Sequence, residues 1–95
     1  MLSRNYYDVP LMNELEQTFT ALVMELSKFL TQSDVEQILD LVNANELGIA
    51  LENFCTQLYE RDAVCSREHI GRICAIGEVM GIKPEYWDII STTEK

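Results

Sequence analysis

Bases are the scarcest charged residues in this chain. Seven Lys and Arg stand against sixteen Asp and Glu, a formal net charge of −9 and a pI near 4.3. Every contact with a phosphate needs a cation, so DNA, RNA and anionic lipid are poor partners, and a basic protein is a good one. Histidine is almost missing too, with His69 alone. One imidazole, no GxSxG, no glycine-rich phosphate loop and no HExxH leave no nucleophile and base to pair. The chain therefore reads as a binding protein, not an enzyme, and as one without a cofactor. Cys55, Cys65 and Cys74 are odd in number, contain no CxxC pair and have one histidine for company. That spacing suits neither a zinc site nor a disulfide framework, and implies reduced thiols in a cytosolic protein.

Long apolar runs are absent. None approaches the ~18 residues of a spanning helix, and the opening MLSRNYYDVP has no signal-peptide core, so the expected location is the cytoplasm. Two prolines and four glycines leave no linker and no low-complexity tract, which points to a single domain over residues 1–95.

What is present is helical periodicity. Hydrophobic residues make up 47% of the chain, enough to build a core. From Leu11 to Leu30 an i, i+3, i+4 stripe runs through Leu15, Phe19, Leu22, Val23 and Leu26, predicting a helix over 9–30 with Pro10 in its first turn. Ser33 and Glu36 match a capping box for a second helix over 34–43, whose stripe is Val35, Ile38, Leu39 and Val42. A third helix over 46–60 buries Leu47, Ala50, Leu51, Phe54 and Leu58. A fourth over 67–80 starts at a Ser66 cap, carries Ile70, Ile73, Cys74 and Met80 inward, and stops at Gly81-Ile82 ahead of Pro84. A short helix over 84–90 brings Trp87 and Ile90 to the base of the core. No window alternates with period two, so strands are not expected. The fold class is an all-α, small single-domain bundle of four to five helices.

The charge is unevenly placed. Residues 29 to 60 contain no Lys or Arg, yet hold Asp34, Glu36, Asp40, Glu46, Glu52 and Glu60. On a wheel of the third helix, Glu46, Ile49, Glu52, Asn53, Thr56 and Glu60 lie opposite the core leucines, with Tyr59 at the margin. Asp34 and Glu36 sit near a helix N-terminus, where negative charge is favourable. Asp40, Glu60 and Asp62 sit at C-terminal ends, where the helix dipole disfavours carboxylates and Arg61 offers only partial relief. Glu36 and Asp40 are in addition a like-charged i, i+4 pair. Misplaced acids with two outward apolar residues among them suggest a surface kept for a basic partner. The candidate binding residues are Glu36, Asp40, Glu46, Ile49, Glu52, Asn53, Tyr59, Glu60 and Asp62. Leu41 and Ile49 could instead form the seam of a homodimer. His69, three residues after Ser66, reads as a surface or capping-region residue.

The stretch Ala50 to Ile82, with Glu46-Leu47 ahead of it, carries ALEN (Ala50–Asn53), QLYE (Gln57–Glu60), Asp62, Ser66 and the Met80-Gly81-Ile82 stop. This pattern resembles the MafI-type immunity proteins of bacterial polymorphic toxin systems, a group overlapping the CdiI-type immunity proteins of contact-dependent growth inhibition. The resemblance covers about a third of the chain closely. It implies a cytoplasmic antidote that binds the C-terminal toxin domain of a secreted protein, with the toxin often an RNase of EndoU-like or RNase A-like type. Two other readings remain open. One is a small acidic adaptor or subunit with no toxin partner. The other is a helix-turn-helix over Arg72 to Ile90, disfavoured because Glu85 to Glu94 holds three acids and no base.

Overall fold

The architecture follows from where its helices stop. The computed structural model describes residues 13–93. The chain runs α1 (Glu14–Glu25), a 3-10 turn (Ser27–Phe29), α2 (Gln32–Asn43), α3 (Leu47–Glu60), strand β1 (Val64–Cys65), α4 (Arg67–Met80), the single-turn α5 (Glu85–Asp88) and strand β2 (Ser91–Thr92). It is an all-α bundle, as the periodicity predicts. No helix among the described residues is long and apolar enough to cross a membrane.

Three helices end the same way. Asn45, Asp62 and Gly81 take left-handed backbone conformations, with φ of 67°, 55° and 72°. The next residues then reach back. Glu46, Ala63 and Ile82 donate their N–H groups to the carbonyls of Leu41, Leu58 and Gly77 at 2.8, 2.9 and 2.9 Å. Each is a Schellman turn, and its left-handed position is filled by one of the residue types that tolerate it at low cost. Gly81 is legible in the sequence as such a stop; Asn45 and Asp62 are the same device without glycine.

The front of the chain departs from expectation. The start predicted at residue 9, with Pro10, Leu11 and Met12, lies outside the described residues, and Asn13 closes a capping box with Glu16. Helix α1 stops at Glu25 and does not reach residue 30. Ser27 Oγ donates to the Met24 carbonyl at 2.8 Å, and the N–H groups of Phe29 and Leu30 close tighter i−3 bonds. Leu30 then turns extended, at φ −118° and ψ 158°, which frees Thr31 to cap α2. That cap replaces the expected Ser33–Glu36 box. Thr31 Oγ1 accepts from the Asp34 N–H, and Asp34 Oδ2 accepts from the Thr31 N–H, both at 3.0 Å. Asp34 wins because it has a second partner: Arg61 at the far end of α3 grips it through Nε at 2.7 Å and a terminal guanidinium nitrogen at 3.2 Å. Asp34 is thus the buried charged residue of the core's edge, not merely an acid at a helix start.

The absence of strands is also corrected. Val64 and Cys65 pair in parallel with Ser91 and Thr92, and Thr93 N–H donates to the Cys65 carbonyl at 3.0 Å. Two-residue strands are too short to show alternation, which is why no pattern reveals them.

The core gathers as the stripes predict. Phe19 of α1 and Phe54 of α3 meet edge to face with centroids 5.5 Å apart. Leu22, Val23, Ile38, Leu51, Leu58 and Ile73 are fully buried around them. Cys55 and Cys65 are buried free thiols, and burial pushes Cys55 up to about 12, so it is inert as a nucleophile at neutral pH.

The short helix α5 is held by a missing side chain. A Cβ on Gly77 of α4 would lie 2.2 Å from Trp87 Cζ3 and 2.5 Å from its Cη2, closer than packed atoms can come. The indole therefore sits against the α4 backbone, and Trp87 and Ile90 are buried while Asp88 and Ile89 are exposed. Gly77→Ala gains helix propensity of about 1 kcal/mol but must displace a buried ring, at about 1–3 kcal/mol. The balance predicts lower stability, whereas Gly71→Ala, with nothing within 4 Å of the added carbon, should stabilise by about 0.5–1 kcal/mol. Urea unfolding of the two variants checks both signs.

Candidate functional site

With Trp87 fixed against α4, the residues around it are forced onto α3. Tyr86, Glu85 and Ile89 lie beside the outward stripe of α3, where Ile49, Asn53, Thr56 and Tyr59 recur at helical spacing. Two adjoining hollows result. The first, of 240 Å³, is lined by Thr56, Tyr59, Glu85, Tyr86 and Ile89. The second, of 340 Å³, is lined by Ile49, Glu52, Asn53, Thr56, Gln57 and Tyr86. Thr56 and Tyr86 belong to both, so the hollows form one groove with Tyr86 as its ridge.

Among the described residues the lining contains no Lys or Arg. Its two charges are the carboxylates of Glu52 and Glu85. Ile49, Tyr59 and Ile89 are each about half exposed, at 51%, 52% and 52%, so large apolar side chains meet water at both ends of the groove. Buried apolar surface supplies much of the strength of protein association, and an outward cluster of this kind is a natural docking face. Asn53 contributes one unusual atom: its Oδ1 is buried and has no hydrogen-bond partner. Arg61, the base nearest in sequence to Glu60, is committed to Asp34 and lines neither hollow.

Of the residues the sequence singles out, the fold brings Ile49, Glu52, Asn53 and Tyr59 to the groove. The other acids line neither hollow. Glu36 and Asp40 are exposed on α2, and Glu60 is exposed as the last residue of α3. Glu46 precedes the first turn of α3, where a carboxylate suits the helix dipole. Asp62 has a backbone reason for its place, the left-handed turn after α3, so its position at a helix C-terminus no longer argues for a partner. Leu41 is half-buried against the core, which removes the proposed exposed pair with Ile49. The residues that sequence reasoning missed are Glu85, Tyr86 and Ile89. Their signal was available: Trp87 and Ile90 share the inward i, i+3 spacing, so Tyr86 and Ile89 share the outward one.

A second cluster joins α1 to α4. Ser66 Oγ accepts the His69 N–H at 3.1 Å as a helix cap and lies 2.9 Å from His69 Nδ1. His69 Nε2 is 3.1 Å from Glu25 Oε1, and Arg72 holds both Glu25 oxygens at 2.8 and 3.0 Å. The Arg72 guanidinium first, and His69 second, lower the Glu25 carboxyl from 4.5 to about 2. The line of serine, imidazole and carboxylate resembles a relay, but its parts are engaged in structure: the hydroxyl caps α4 and the carboxylate is clamped by Arg72. It is a clasp between helices. His69 is accordingly in the capping region, half-buried rather than on the open surface.

No protein-family model, curated protein or solved structure matches the chain.

Two outcomes follow from these placements. Glu25 titrates lower when folded than unfolded, so the clasp stabilises at neutral pH, and its contribution disappears as pH falls from about 4.5 to about 2. Asp34, lowered chiefly by Arg61, acts in the same direction. Glu25→Gln should therefore flatten the acid side of the stability profile, as read by thermal unfolding across that range. In the turn after α3, Asp62→Gly should leave stability within about 0.5 kcal/mol of the native protein, while Asp62→Val loses about 1–2 kcal/mol. Urea midpoints that fall equally for both would show that the carboxylate, not the backbone, is what position 62 requires.

Proposed function

We propose that the protein is an immunity protein of a polymorphic toxin system, which binds and neutralises a basic toxin domain through the groove between α3 and α5. The observation that carries this reading is a groove with no base among its described lining residues, edged by Glu52 and Glu85 and flanked by half-exposed Ile49, Tyr59 and Ile89, on a chain of net charge −9. A nuclease toxin fits such a face, because an active site built to receive phosphates is lined with cations. Carboxylates can occupy it or an adjoining basic surface. The resemblance of residues 50–82 to MafI-type immunity proteins supports the same choice.

The physical demands on an antidote agree with this division of labour. Protection needs fast capture and slow release. Steering between opposite charges raises association to about 10⁸ M⁻¹s⁻¹ or more, and a nanomolar complex requires about −12 kcal/mol. Glu52, Glu85 and the exposed acids of α2 supply the field, and Ile49, Tyr59 and Ile89 supply apolar anchors that slow dissociation. DNA binding is a poor fit. Helix α5, which would have to read the groove of a duplex, is four residues long, buries Trp87 and carries Glu85 and Asp88.

Co-expression with the polypeptide encoded immediately upstream should yield a co-purifying complex and rescue growth. Glu52→Lys combined with Glu85→Lys should weaken that complex by about tenfold or more without loss of helicity. Unchanged affinity by titration calorimetry would remove this face from the proposal, and failure of both rescue and co-purification would remove the toxin.

A further inference from the structure

The groove is more selective than a patch of negative charge. Acids are spread over this protein, but those on α2 have no aromatic residue on their helix, whereas the groove sets Glu85 and Glu52 on either side of Tyr86, with Tyr59 beside it. At 240 Å³ the aromatic hollow is smaller than the about 300–1,000 Å³ typical of small-molecule sites, and suits a single side chain. A lysine placed there would satisfy the charge alone. An arginine satisfies more: its planar guanidinium stacks on a tyrosine ring, forks onto a carboxylate and gives up its hydration more readily. The larger hollow adds the Asn53 side chain beside Glu52.

We infer that the α3–α5 groove is a receptor for an arginine side chain of the partner protein, its guanidinium against Tyr86 and its charge met by Glu85 on one side or Glu52 on the other. This rests on the reading of the partner as a basic protein, and is independent of what that partner catalyses. Tyr86 supplies the flat surface, and the carboxylates select the sign. Arginine, not merely positive charge, is the feature recognised.

The test uses the full chain, labelled with nitrogen-15, titrated by nuclear magnetic resonance with an oligoarginine peptide and with oligolysine of the same length. Amide shifts should concentrate at Glu52, Asn53, Thr56, Tyr86 and Ile89, and oligoarginine should bind about threefold or more tighter than oligolysine. Tyr86→Ala should erase that margin. Because Tyr86 is half-buried and packs against the core, Glu85→Gln is the companion variant, expected to keep the fold and weaken both peptides. Equal binding of the two peptides by the native protein overturns the inference, as do shifts spread evenly over Glu36 and Asp40, which would mark attraction to net charge. The two proposals fail separately. Arginine preference with no complex from the upstream polypeptide sinks the immunity reading and keeps the receptor; growth rescue without arginine preference sinks the receptor alone.

Discussion

The absence of a side chain at Gly77 governs more of this molecule than any contact does. Because α4 presents bare backbone there, the Trp87 ring lies where a Cβ would stand, and α5 is fixed against the bundle by one indole. A helix of four residues has little stability of its own, since forming its first turn orders several residues for few hydrogen bonds. Its position comes from tertiary contact: Trp87 below and Ile90 buried just after it. Everything on the outward side of α5 inherits that position. The Gly77–Trp87 contact acts together with buried Ile90 and the β1–β2 pairing that follows it, and Tyr86 and Ile89 come to lie along α3.

A second layer of control comes from the chain reversals. Helices α2, α3 and α4 end in Schellman motifs, and left-handed Asn45 and Asp62 make the turns either side of α3. Asp34 adds a cross-tie, since its carboxylate caps α2 while the guanidinium at the end of α3 holds it. Together they set α3 antiparallel against α2 with its leucines inward, which leaves Ile49, Asn53, Thr56 and Tyr59 outward. The carboxylates of this region thus divide by cause. Asp34 and Asp62 serve the backbone, Glu46 suits a helix start, and Glu52 and Glu85 face a groove with no partner among the described residues.

This division explains what could be read from the chain. Periodicity located the core, the Ser66 cap, α4 and the Gly81 stop, because each depends on spacing within one helix. It placed Ile49 and Tyr59 outward for the same reason. It could not choose Thr31 over Ser33 as the cap of α2, because that choice is made by Arg61, twenty-seven residues from Asp34. It could not end α1 at Glu25, where an apolar stripe continues through a tighter turn into Leu26, Phe29 and Leu30. Nor could it bring Glu85 and Tyr86 to α3, since that contact is dictated by an empty position on a third helix. What sequence periodicity misses here is consistently the long-range partner.

The proposed basic partner would seat in the groove between α3 and α5. The most direct measurement is amide hydrogen exchange of the full chain, free and bound to the polypeptide encoded upstream of it. Slowed exchange along α3 from Ile49 to Tyr59 and in residues 85–89, with α1 and the outer face of α4 unchanged, is the expected result. Protection confined to α1 or α4 would contradict the claim outright.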